Sequence, residues 1–209
     1  MDIIDKLNWR YATKQFDNTK KLSEAQVNKL ITAANLTATS YGLQPSKVVL
    51  VENPEVREEL VAHSYGQRQV ADASHLLVIT IYKELGNQQV DTFVDRISEL
   101  RGVSTESLDG MSNMIKGFLS RMNEEEKKVW MSNQAHIVLG NLMTVCAVEG
   151  IDSCPIAGFV PGKYDEVLDL EKDNLKSVLV LPIGFRKDDD KYSKLPKVRM
   201  TDKDFLVRK

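Results

Sequence analysis

Apolar and polar positions along this chain follow two periods, one helical and one extended. Ser23-Glu24-Ala25-Gln26 is a capping box, in which the serine hydroxyl and the glutamine amide can satisfy each other's backbone N–H. Val27, Leu30, Ile31 and Ala34 then recur at i, i+3, i+4 and i+7, one face of a helix. Lys47–Glu52 (KVVLVE) is rich in β-branched residues and predicts a strand. Asn53 followed by Pro54 predicts the next helix start. Leu76–Tyr82 (LLVITIY) predicts a buried strand. Gln88–Leu100 and Glu106–Met122 predict helices with broken apolar faces. Asn123 then caps three glutamates, which suit the positive first turn of a helix.

The helix predicted there, Glu124–Val148, becomes apolar nearly all round, through Ile137, Val138, Leu139, Leu142, Met143, Val145, Cys146 and Ala147. Such a helix must be covered on every side, in a core or at a subunit interface. Gly140 allows another backbone close approach, and Gly150 suits the helix end. Tyr164–Leu170 predicts a short helix. Ser177–Ile183 (SVLVLPI) predicts a third strong strand, with an irregular end at Pro182. The tail, Lys187–Lys209, is highly charged, and Phe205-Leu206 is its one core signal. Helices flank the strands without forming clean βαβ units. The chain therefore reads as an α+β fold in a single domain, residues 1–209.

Composition narrows the functional classes. Hydrophobic residues make up 42% of 209, an ordinary globular share that excludes disordered and fibrous chains. Twenty-eight basic against 30 acidic residues leave a net charge of −2. No global basic field exists to hold nucleic acid, although a local cationic site is compatible with this balance. The longest apolar run is far short of the ~18 residues of a membrane span. Met1-Asp2 opens without a signal-peptide pattern, so a cytoplasmic protein is expected. Cys146 and Cys154 lack metal-site spacing and read as small buried apolar residues.

No dinucleotide-binding glycine fingerprint, Walker A or nucleophile elbow is present. His63, His75 and His136 are scattered and read as structural or surface residues. The positive features are two cation pairs at opposite ends of the chain. In an extended segment Arg10 and Lys14 share a face with Ala12 between them, and so do Lys197 and Arg199. Converging, they suit a phosphate monoester, the arginines as forks and the lysines as point charges; apart, they are solvated surface. Thr39–Pro45 offers hydroxyls, a glycine and an amide to a flat heterocycle, or is a plain helix-to-strand loop. Pro155–Phe159 carries Gly158, against which a planar ligand can lie, or is an ordinary turn.

Together these pieces resemble the FMN-dependent nitroreductase family, near the oxygen-insensitive NAD(P)H nitroreductases and dihydropteridine-reductase-like members. The resemblance covers nearly the whole chain. It rests on R-x-x-T-K-x-F-D at Arg10–Asp17, S-x-x-x-Q-P at Ser40–Pro45, D-A-S-H at Asp72–His75, P-I-x-G-F at Pro155–Phe159 and L-P-K-x-R at Leu195–Arg199. It implies a sandwich with a central, mostly antiparallel sheet flanked by helices, in an intertwined homodimer. The long apolar helix would build the interface, and the C-terminal segment would reach the other subunit. FMN would sit at that interface, with NAD(P)H as electron donor.

By the same resemblance, Arg10, Lys14, Lys197 and Arg199 would hold the ribityl and phosphate end, beside Ala12. Thr39, Ser40 and Gly42 would border the flavin from the partner chain. Gln67 and Gln69 would meet the ring edge or ribityl chain. Pro155, Ile156, Ala157 and Gly158 would lie along the isoalloxazine, with a backbone N–H at Ala157 or Gly158 toward N5. Tyr41 is a candidate wall of the substrate pocket, and Phe118 is either a second wall or core packing. The implied activity is ping-pong hydride transfer through N5 to a small-molecule acceptor: a nitro compound, quinone, flavin or pterin. The alternative is a flavin-binding redox sensor or store with little turnover. Many members carry a hydroxyl residue at Ala12, some Asn at Gly66 and Lys at Gln69, and several Glu at Ala157. These departures bear on substrate range and potential rather than on fold.

Overall fold

One strand organises the molecule. The computed structural model describes residues 2–209, and in it His75–Tyr82 lies at the heart of a four-stranded antiparallel sheet. Six of its eight residues are buried, as expected for an apolar run covered on both faces. The strands are β1 (Ser46–Val51), β2 (His75–Tyr82), β3 (Asp152–Ser153) and β4 (Leu175–Gly184), in spatial order β1-β2-β4-β3.

The helices are α1 (Ile3–Trp9), α2 (Glu24–Asn35), α3 (Pro54–Ala62), α4 (Gln69–Asp72), α5 (Asn87–Arg101), α6 (Asp109–Leu119), α7 (Glu124–Glu149), α8 (Pro161–Val167) and α9 (Asp202–Phe205). Alternation along β2 divides the core in two. Leu77, Ile79 and Ile81 face a cluster with α2, α5, α6 and α7, while Leu76 and Val78 face one with Leu60 of α3 and Tyr164 of α8. The result is helices, sheet, helices: the α+β sandwich expected.

Both capping boxes form as the sequence requires. Ser23 and Gln26 close the capping box of α2, and Asn123 and Glu126 that of α7. Asn53 Oδ1 accepts from Glu55 N at 2.8 Å, with Pro54 in the first turn of α3.

Several expectations are corrected. The helix expected at Tyr164–Leu170 lies at Pro161–Val167, because Pro161 is a favourable first residue and Asp169 takes a left-handed φ of 50°. The Glu106 end of the next is a 3-10 turn, Glu106–Leu108, before α6. β4 runs through Pro182, whose carbonyl accepts from Cys154 N; the irregularity is instead a bulge at Val178, since Ile79 pairs with Leu179 and Thr80 with Ser177. Phe205 and Leu206 are exposed, so they add nothing to the core of this chain. The core alternative for α7 fails within one chain, since Val129, Ile137 and Val148 are 59%, 49% and 44% exposed, which leaves a subunit interface as the way to cover them. No helix among the described residues is long and apolar enough to cross a membrane.

Candidate cofactor site

The segment after α1 is extended but joins the sheet only through single bridges, Ala12 to Ser153 and Phe16 to Arg186. Alternation turns Thr13 into the core, fully buried, with its hydroxyl 3.4 Å from Asp152 Oδ1. Arg10, Ala12 and Lys14 fall on the other side, as the pattern predicts. The chain returns after β4, and Lys197 and Arg199 line the same cleft, about 410 Å³ in volume, with Trp9, Tyr11 and Tyr192. The two distant cation pairs therefore converge.

Among the described residues, no carboxylate lines this cleft. Lys197 Nζ donates to the Arg10 carbonyl oxygen. Burial, then the Arg10 and Arg199 charges, lowers the Lys197 ammonium below its ordinary value. Burial, then Arg199, does the same to Arg10. Arg10 Nε is buried with no hydrogen-bond partner among the described residues. A buried, unpaired N–H on a cation among like charges is costly. An anion with several oxygens removes both costs, so the cleft fits a phosphate monoester.

Three charged residues that sequence reasoning missed hold this segment in place. Asp190, 1% exposed, accepts through Oδ2 from Tyr11 Oη (2.8 Å), Lys14 N (2.9 Å) and Gln15 N (3.1 Å). Burial alone would raise its carboxyl, but the hydrogen bonds from Tyr11, Lys14, Gln15 and Tyr192 outweigh burial and hold it below its usual value. Asp152 pairs with Arg186, Nε to Oδ1 at 2.7 Å, and the Arg186 guanidinium lies between the rings of Trp9 (4.2 Å) and Tyr11 (4.6 Å). Asp190 is the last of three consecutive aspartates, so no pattern singles it out.

The second group forms around Pro155–Phe159. Ile156 pairs with Val180 through both its N–H (2.8 Å) and its carbonyl (2.9 Å). Pairing stops there, so the N–H groups of Ala157 and Gly158 have no protein partner among the described residues, and both residues are exposed. A Cβ at Gly158 would meet nothing within 4 Å, leaving room for a planar group. Gln67 reaches this loop, donating from Nε2 to Gly158 O at 2.9 Å. Gln69 does not: it is buried at the first position of α4.

The third group, Thr39, Ser40 and Gly42, stands apart. Thr39 lines a different cleft, with Ile31, Gln44 and Val138, rather than the cationic one. Tyr41, Gly42 and Gln44 all take left-handed φ, 58°, 73° and 49°. Such a run with two non-glycine members is strained and needs outside support. Gln134 of α7 supplies it, accepting from Ser40 N at 2.8 Å, as does Gln44, whose Nε2 donates to Asn35 O at 2.7 Å. Tyr41 packs on Phe118 of α6 with ring centroids 5.3 Å apart, and Phe118 on Trp130 at 5.7 Å. The two expected pocket walls thus touch.

Both cysteines are buried, and burial pushes the Cys146 thiol up to about 12. Of the histidines, His136 Nδ1 lies 2.7 Å from Ser132 O and His75 Nδ1 2.9 Å from Ser74 Oγ.

Against known proteins, the family model that matches is the nitroreductase family, over residues 7–185. The chain belongs to the nitroreductase family. A protein of Staphylococcus epidermidis named as an NAD(P)H nitroreductase is 34% identical over 217 residues, covering 98% of this chain and 95% of the relative. A solved nitroreductase-named structure from Bacillus subtilis superposes with TM-score 0.87 at 22% identity, covering 99% and 98% of the two chains. Another, from Exiguobacterium sibiricum and solved in complex with FMN, gives 0.85 at 22% identity and covers 100% and 98%. The nitroreductase fold read from the sequence is therefore present.

Proposed function

We propose that this nitroreductase-family chain is an FMN-dependent NAD(P)H oxidoreductase that passes electrons to small molecules such as nitro compounds, quinones, flavins or pterins. The observation that carries the reading is the acid-free cleft of Arg10, Lys14, Lys197 and Arg199, with Arg10 Nε buried and unpaired. It supports a ligand with a terminal phosphate dianion. When bound, FMN supplies reversible two-electron chemistry at its isoalloxazine.

The chain's own groups then divide the work. The four cations neutralise the phosphate, and Ala12 leaves that wall without a hydroxyl. Pro155 and Ile156 hold the loop on β4, presenting the N–H groups of Ala157 and Gly158 to the ring edge. Tyr41 and Phe118 wall the space for donor and acceptor. In this reading the protein orients the ligands and excludes water, without a general acid of its own.

The chain acts as a homodimer in this reading. Its support is the exposed apolar surface: the α7 stripe, Ile3, Ile4 and Leu7 of α1, and Val198, Met200, Phe205 and Val207 of the tail. It accounts for the separation of Thr39, Ser40 and Gly42 from the cations, since a second chain would bring them to the flavin. A cytoplasmic location belongs to the same reading.

The test is an anaerobic visible spectrum. A yellow protein that bleaches with NADH or NADPH and regains colour with a quinone or nitro compound is expected. A colourless protein that takes up no added FMN overturns the proposal.

A further inference from the structure

Gln67 is placed to do something other than touch a ligand with its amide nitrogen. Its Nε2 donates to two carbonyl oxygens, Ser64 O at 3.0 Å and Gly158 O at 2.9 Å. A carboxamide nitrogen has two hydrogens, so its donor capacity is exhausted. The orientation follows from the partners: with the amide reversed, Oε1 would face two carbonyl oxygens. Gln67 therefore has no donor left for a flavin, and only Oε1 can accept.

The other end of this clamp is buried. Ser64 is fully buried and its Oγ donates to Leu60 O at 2.8 Å. Its single hydrogen is spent there, so the Tyr164 hydroxyl, 2.6 Å away, is the donor to Ser64 Oγ. Tyr164 is itself fully buried, and burial pushes its hydroxyl up to about 12, so it remains protonated. The ring of Phe159 packs on Tyr164 edge-on at 4.8 Å. Val160 N donates to His63 O at 2.9 Å. The turn after α3 thus grips Gly158 and Val160 directly and Phe159 through Tyr164 of α8, while β4 holds the chain at Ile156.

Between these grips lie Ala157 and Gly158, whose N–H groups are unpaired. Glycine samples a wide backbone range, so an unheld Gly158 would aim its N–H in many directions. We propose that Gln67 is a positioning residue: β4 already holds the Ala157 N–H through Ile156 O, and by tying Gly158 O to Ser64 O, Gln67 fixes the far side of Gly158 and so limits the directions its N–H can take. The role rests on the FMN reading above. Because the nitrogen is already committed, a contact of Gln67 with the ring edge or ribityl chain falls to Oε1.

The consequence is electronic as well as structural. The N5 atom of oxidised flavin accepts a hydrogen bond, whereas the reduced form carries hydrogen there. A well-aimed backbone donor therefore stabilises the oxidised form, and a loosened one lets the potential rise.

The test compares the FMN-loaded parent protein with Gln67→Leu and Tyr164→Phe, reading amide hydrogen exchange at Ala157 and Gly158 and the two-electron midpoint potential. Gln67→Leu is expected to speed exchange at Gly158 about tenfold, with Ala157, whose peptide β4 holds through Ile156 O, changing less. It is expected to favour reduced over oxidised flavin about tenfold, a rise of about 30 mV for two electrons. Tyr164→Phe is expected to move both readouts the same way by less, and serves if Gln67→Leu fails to fold. Uptake of FMN with both readouts unchanged in the variants overturns the role of Gln67 alone. A protein that takes up no FMN overturns the functional reading and this role with it.

Discussion

At the scale of single residues, the account depends on charges that have no acidic partner. Arg10 and Lys197 stand beside each other and beside Arg199, each lowered by burial and by its neighbours. Charged hydrogen bonds contribute about 1.5–3 kcal/mol each. Arg10→Ala and Lys197→Ala should each weaken FMN binding by about 10- to 100-fold while leaving the melting temperature nearly unchanged, as titration of flavin fluorescence and calorimetry would read. The depressed Lys197 value also sets a pH dependence. Its ammonium is lost at a lower pH than that of an ordinary lysine, so FMN affinity should fall as pH rises through that lowered value, and Lys197→Arg should abolish the fall.

Asp190 has the opposite sign. Its folded-state carboxyl lies below its usual value, so its contribution to stability is present above the unfolded value, about 3.9, and is lost as pH falls through the folded one. Asp190→Ala strands the Tyr11 hydroxyl and three backbone N–H groups and should cost about 3 kcal/mol in urea unfolding at neutral pH. The difference from the parent protein should shrink in acid.

At the scale of elements, local rules wrote most of the fold. The capping boxes at Ser23 and Asn123, the Asn53-Pro54 start and the apolar runs of β1, β2 and β4 were legible, because each is decided by neighbours within a turn or a strand. The cation pairs were legible as pairs, since alternation places Arg10 with Lys14 wherever the segment is extended. What holds them was not. Asp152, Asp190 and Arg186 act across about 140 to 180 residues of chain, and an isolated charge carries no sign of its partner. The clamp that Gln67 forms was not legible either, since only the positions of Ser64 and Gly158 show where its hydrogens go. The strain at Tyr41 and Gln44 was equally invisible, because neither residue type announces a left-handed φ. The end of β4 provides a test of packing at this scale. A Cβ at Gly184 would lie 2.8 Å from Ser74 N and 3.2 Å from the Phe16 ring. Gly184→Ala must push β4 from the turn before β2, and should cost about 2–3 kcal/mol in urea unfolding.

At the scale of the whole molecule, the single chain leaves its parts apart. The cationic cleft, the Gly158 loop and the Thr39–Gly42 turn are each well built, yet Thr39 and the cations line different clefts. An open apolar stripe on α7 points to where a second chain would join them. Ile137→Lys on that stripe should give monomers in analytical ultracentrifugation and lose FMN together with the dimer. A variant that stays dimeric and keeps FMN would place the interface elsewhere.

The central claim is that the four cations hold a phosphate, and riboflavin is FMN without one. Titrating both flavins into the FMN-free protein measures that phosphate directly. The account predicts FMN binding at least ~100-fold tighter than riboflavin, with the gap largely closed in a Lys197→Ala, Arg199→Ala double variant. Equal affinity for the two flavins would contradict it.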